Sequence, residues 1–160
     1  MTESRMSLEP VATAAALLAV IALGLSAGAM LTEGAVLVPY WRSLPPESFL
    51  SWYAENASLL FDFFGPIEIA SAFLAAVAAV LYRLQRRTGG GLLVLSAVLA
   101  LAVLAAFPLY FQEVNASFAT GAMSPDNVEA ELARWASWHW GRTAVGIGAF
   151  AAAVLARISR

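Results

Sequence analysis

The sequence predicts an all-α, polytopic membrane protein: an antiparallel bundle of four transmembrane helices, with a short interfacial helix in the first outer loop. Two observations lead there. Hydrophobic residues fill 61% of the 160 positions and charged residues only 12%, with a mean hydropathy of +0.74, so a soluble domain would have too little polar surface to cover its core. Crossing a bilayer as helix takes about 20 apolar residues, and four such stretches occur, at about Pro10–Pro39, Leu59–Leu84, Gly91–Phe111 and Trp135–Ile158. A single transmembrane domain over residues 1–160 accounts for the chain.

The first stretch is too long between Val11 and Met30 for the apolar core of a signal peptide, and only Arg5 precedes it as positive charge, so it is expected to remain as a helix. Within it, Gly24 and Gly28 form a small-residue pair suited to close helix packing, inside the bundle or in a homo-oligomer. Leu44-Pro45-Pro46-Glu47 reads as a helix start with proline in the first turn, leading into the expected interfacial helix over Ser48–Asn56. The second and third stretches are joined by Arg83-Leu-Gln-Arg-Arg-Thr-Gly-Gly-Gly91, a plain hairpin whose glycines end one helix and release the next. Before the fourth, Met123-Ser124-Pro125-Asp126 supplies a cap and an acidic first turn.

Orientation follows from arginine, because the chain has no lysine. Arg5, Arg83, Arg86, Arg87, Arg157 and Arg160 fall on the side of the hairpin, and Arg42, Arg134 and Arg142 on the other. The excess places both termini inside by the positive-inside rule. The Lys-free, Ala- and Arg-rich composition points to a bacterial inner (plasma) membrane. Tyr40, Trp41, Trp52, Tyr53, Tyr110, Trp135, Trp138 and Trp140 cluster near the outer ends and read as an aromatic belt.

Charge near hydrocarbon is expensive and persists where it pairs, faces a protein interior or performs chemistry. Glu33, Glu68, Glu113 and the Trp138-His139-Trp140-Gly141-Arg142 segment therefore form the candidate functional band. At about 1.5 Å rise per residue, Glu68 lies ~22 Å above Arg83 and Arg142 ~22 Å above Arg157, so the two are level and suited to an ion pair. His139 and Arg142, three residues apart, share a helix face. The lone histidine is a candidate base, proton shuttle or metal ligand. Glu33, Glu68 and His139 form the alternative metal-ligand set, although the Glu-x-x-His spacing of di-iron bundles is missing.

Cysteine is absent, which removes thiol chemistry and disulfides. The net charge of −2 and the lack of a basic run interleaved with aromatics argue against nucleic acid as a partner.

Several segments resemble the anthrone oxygenase-like family of small four-helix integral membrane proteins. They are the small-residue-rich Ala27–Trp41 stretch, Glu113-Val114-Asn115 after the third helix, and Trp135-x-x-Trp138-His139-x-x-Arg142 at the start of the fourth. Glu113 and Val114 stand where that family usually has Pro-Leu before the asparagine. The resemblance implies oxidation of a lipophilic phenolic or quinol-like substrate by O₂, with no cofactor. It casts His139, Arg142 and Glu68 as catalytic residues, and Glu33, Asn115, Trp138 and Trp135 as substrate-binding ones. His139 would be the base and Arg142 the anion stabiliser. The alternative expectation is a non-catalytic accessory subunit of a larger membrane complex that binds lipid, quinone or pigment, in which the polar band holds the bundle together.

Overall fold

The computed structural model describes the backbone of residues 2–159 and the side chains of residues 8–159. Arg5 and Arg160, used in the charge comparison, lie outside the described side chains. Four long helices make up the fold: α1 (Leu8–Ser43), α2 (Pro46–Leu84), α3 (Gly90–Ala119) and α4 (Pro125–Ile158), each long and apolar enough to cross a membrane. Among the described residues there is no strand. Each helix packs on the next in sequence, and α4 returns to α1, closing a four-membered antiparallel ring.

All four helices extend past the expected spans at the end away from the 83–91 hairpin, labelled outer after the expected orientation. The clearest departure is in the first outer connection, where no separate interfacial helix forms. Residues 48–56 are instead the opening turns of α2, which begins at Pro46 with Glu47 in its first turn. Nothing stops it: Phe49, Tyr53, Ala57 and Leu60 recur at helical spacing and pack into the outer core. Pro66 is accommodated inside the helix. The second outer connection is likewise tight, because α3 continues to Ala119 and α4 already starts at Pro125. Asn115 thus lies within α3 rather than beyond it.

This length produces two storeys. A 39-residue helix spans about 58 Å at 1.5 Å per residue, roughly twice the hydrocarbon thickness. The inner storey is packed mainly by alanine, with Ala12, Ala16, Ala75, Ala78, Ala149 and Ala153 all fully or nearly buried, which brings the helix backbones close. Gly24 belongs to this packing, since a β-carbon there would lie 3.1 Å from the Phe150 ring, whereas Gly28 would meet nothing within 4 Å. The outer storey is aromatic: Trp41, Phe49, Tyr53, Phe111, Phe118 and Trp135 form one cluster with Val128 and Leu132.

Two π-helical turns sit between the storeys, Glu33–Leu37 in α1 and Phe107–Phe111 in α3. The second contains Pro108, which has no N–H to donate, so a regular α-ladder is already interrupted there. π turns inside α-helices commonly mark functional positions.

Candidate functional site

The buried charge is confined to the junction of the storeys. Glu33, Glu68, His139 and Arg142 are all buried there. Arg142 Nη2 donates to Glu33 Oε2 at 3.1 Å, and its Nη1 lies 3.3 Å from Glu68 Oε1. The pair expected from helix rise thus meets, and a second carboxylate joins it from α1. The Glu68 contact is an ion pair without hydrogen-bond alignment, so Glu68 Oε1 is left with no hydrogen-bond donor among the described residues. Arg142 also lies over the face of Phe111, 4.3 Å from its centroid, a cation–π contact strengthened by exclusion of water.

His139 stands behind the arginine. Its Nε2 is 2.8 Å from the carbonyl oxygen of Met30, and a carbonyl only accepts, so the network assigns the proton to Nε2. Nδ1 then accepts from Arg142 Nε and Nη2, both at 3.3 Å, and lies 3.4 Å from Glu33 Oε2. Thr143 donates to the His139 carbonyl at 2.8 Å. Trp135 stacks on the imidazole, centroids 4.9 Å apart and planes within 9°. Its indole N–H in turn donates to Asn115 Oδ1 at 2.9 Å. Asn115, Trp135, His139 and Arg142 therefore form a continuous series ending at the two glutamates.

A cavity of about 490 Å³ opens beside this series. Its walls are α2 and α3, contributing Phe61, Phe64, Ile69 and Phe107, and its rear is made by Glu33, Glu68, Trp135 and Arg142. Tyr53, Gln112 and Asn115 also reach it. Phe61, Ile69 and Gln112 are exposed, which sets the mouth on the flank of the bundle, between α2 and α3. On the far side of Arg142 lies a second, shallower groove between α3 and α4, lined by Ala102, Ala106, Gly141 and Trp138. The guanidinium partitions the two.

Of the residues singled out in the sequence, Glu33, Glu68, Asn115, Trp135 and Arg142 converge on the first cavity. His139 touches the same network but is wholly buried and forms none of its lining. Trp138 does not join them: it is 44% exposed, stacks on Tyr110 at 4.9 Å and borders the other groove. Glu113 is exposed and outside the cluster. The Glu33–Glu68–His139 ligand set is not assembled, because Arg142 bridges the carboxylates; among the described residues no three His, Asp or Glu side chains come together to hold a metal ion.

Sequence reasoning missed Gly34, Tyr53, Phe111 and the Met30 carbonyl. Gly34 follows Glu33 directly, and a β-carbon there would lie 3.0 Å from His139 Cδ2 and 3.1 Å from Trp140 Cζ2. A methyl group there would require the ring to shift. The adjacency of a glycine to a charged residue in an apolar helix was the available signal. Phe111 and Tyr53 carried none, being indistinguishable from belt aromatics until the π turn and the helix crossing are known. No family model, curated protein or solved structure matches the chain.

Proposed function

We propose that the protein is a membrane-embedded oxygenase that oxidises a lipophilic phenolic or anthrone-like molecule with O₂ in the α2–α3 cavity. In this reading it lies in a bacterial plasma membrane with both termini inside, and substrate reaches the cavity laterally through the outer leaflet. The observation that carries the proposal is a side-opening, aromatic-walled cavity with one arginine between two carboxylates at its rear. Ligand pockets are commonly apolar with a few convergent polar groups that fix orientation. Here the apolar wall suits a polycyclic aromatic and the polar rear suits its oxygen.

The geometry supports a role for each residue in this reading. Arg142 faces the oxygen of the bound substrate and stabilises it as the negative charge develops on it. Glu68, whose Oε1 has no hydrogen-bond donor among the described residues, takes a proton from the ring CH₂ of an anthrone, whose carbonyl, held at Arg142, delocalises the resulting carbanion. His139, engaged at both nitrogens, holds Arg142 in place, a positioning role in place of the base role expected from its chemistry. Asn115 fixes Trp135, which in turn fixes the imidazole.

The carbanion reduces O₂ and forms a C–O bond, and Glu68 returns its proton to the resulting peroxide. Loss of the remaining C–H proton with cleavage of the O–O bond then gives a carbonyl and water. One O₂ is consumed, with one oxygen atom in the product and one in water.

The test is oxygen uptake by the purified protein in lipid nanodiscs with an anthrone, using ¹⁸O₂. Equal uptake and quinone formation, one labelled oxygen per product, and loss of both in Glu68→Gln support the reading. Binding of the anthrone with no uptake above spontaneous oxidation overturns it, and leaves the accessory, ligand-carrying subunit.

A further inference from the structure

The opposite end of the bundle carries a second polar feature that the oxygenase reading does not use. The α2–α3 hairpin encloses a notch of about 400 Å³ lined by Tyr82, Arg83, Arg86, Arg87, Gly90 and Gly91. We propose that this notch binds the phosphate headgroup of an anionic lipid.

The notch is built rigidly. Gly89 has φ +82°, and a β-carbon there would collide with the Ala156 carbonyl of α4, so the turn is pinned against that helix. Arg86 holds a left-handed φ of +53°, a conformation costly for a side-chain-bearing residue and retained where surrounding structure enforces it. The turn is closed by Arg86 N–H donating to the Arg83 carbonyl at 3.1 Å and Arg87 N–H donating to the Tyr82 carbonyl at 3.0 Å. Tyr82 is buried. Arg87 lies over its ring at 4.6 Å, and Arg157 donates to its hydroxyl at 2.9 Å. This wall is therefore fixed before any ligand arrives.

Charge in the notch is not balanced. Arg87 is tied to α1 through the Glu9 carboxylate at 3.8 Å and Thr13 Oγ1 at 3.0 Å. Arg83 and Arg86 are exposed, and neither has a carboxylate within 4 Å among the described residues. Among the described residues three guanidiniums thus share one acid, and guanidinium forks match phosphate oxygens.

Apolar surface adjoins the notch. Val80 and Leu84 on α2, and Val94, Leu95 and Val98 on α3, are all exposed large hydrophobics within about two turns of it. A ligand seated there has its phosphate among arginines and its chains along these residues, which favours a lipid over free phosphate. Basic pockets between transmembrane helices at one membrane face are suited to such headgroups.

The experiment titrates the full chain, in neutral detergent, with phosphatidylglycerol, phosphatidylcholine or inorganic phosphate. Bound lipid is counted by native mass spectrometry and Tm is followed in parallel. Arg83→Gln/Arg86→Gln is compared with the opposite-end control Arg42→Gln/Arg134→Gln, and circular dichroism confirms that both stay helical. Phosphatidylglycerol is expected to bind and raise Tm in wild type and control, and to bind roughly thirtyfold more weakly to the hairpin variant, as two lost arginine contacts imply. Equal loss in the control, no loss in the hairpin variant, or phosphatidylcholine binding as tightly overturns the proposal. So does inorganic phosphate binding as tightly as the lipid, which makes the notch a site for the free anion. Neither readout depends on turnover, so a failed oxygenase assay leaves this inference standing.

Discussion

Gly34 and His139 face each other tightly across the α1–α4 interface: a β-carbon on the glycine would sit 3.0 Å from the imidazole Cδ2, close enough that the ring would have to shift by a few tenths of an ångström. Retreat of the ring is opposed by Trp135, which stacks on it, and by Met30, whose carbonyl holds its Nε2. Gly34→Ala is expected to cost about 1–3 kcal/mol through overpacking and to displace Arg142 with the imidazole. Thermal unfolding in detergent, together with turnover, checks this; an alanine variant equal to wild type in both would mean that the interface yields freely.

Arg142 holds two buried carboxylates, and its loss leaves them facing one another. Arg142→Gln should destabilise the bundle by about 3–5 kcal/mol, the range for breaking a buried pair on one side. Adding Glu33→Gln and Glu68→Gln to that variant should restore much of the stability but none of the activity. Urea or SDS titrations of the single and triple variants provide the comparison.

Glu68 and its amide differ in charge far more than in shape. Because Glu68 Oε1 accepts no hydrogen bond, and Arg142 keeps Glu33 as its counter-ion at 3.1 Å when the Glu68 charge is removed, Glu68→Gln should leave Tm within a few degrees. Oxygen uptake with an anthrone should fall by about 10²–10⁴, the usual contribution of a positioned base. A variant that keeps full turnover would remove Glu68 from the mechanism.

Trp135 and Trp138 are separated by a single helical turn yet should behave oppositely. Trp135→Phe loses the bond to Asn115, worth about 1 kcal/mol, and should weaken substrate binding at the cavity wall. Trp138→Phe should change neither stability nor KM appreciably, because Trp138 borders the far groove. Steady-state kinetics on the two variants decides, and a raised KM in Trp138→Phe would place substrate in that groove.

The number, order and antiparallel arrangement of the helices were legible because four apolar runs joined by short connections leave little freedom. So was the meeting of Glu68 with Arg142, since helix rise alone makes them level. The outer storey was not: apolarity fades toward its ends, and helix continuation there is decided by packing of Phe49, Tyr53 and Phe118 across different helices, a tertiary effect that no local pattern carries. The facing of Trp138 and Glu113 was equally hidden. A Trp-x-x-Trp-His-x-x-Arg run on an α-helix leaves open which of its residues look inward until the crossing with α1 and α3 is fixed.

The two π turns set the rotational phase between the halves of the molecule. Each inserts one residue relative to an α-helix, so all that lies beyond is turned by about 100° from where an uninterrupted helix would carry it. Deleting a single residue from Glu33–Leu37 would let α1 relax to regular geometry with its inner alanine seam still engaged, while Trp41 swung away from Trp135. The outer and inner storeys are therefore indexed like two gears on one shaft, and a length change of one residue here matters more than most substitutions.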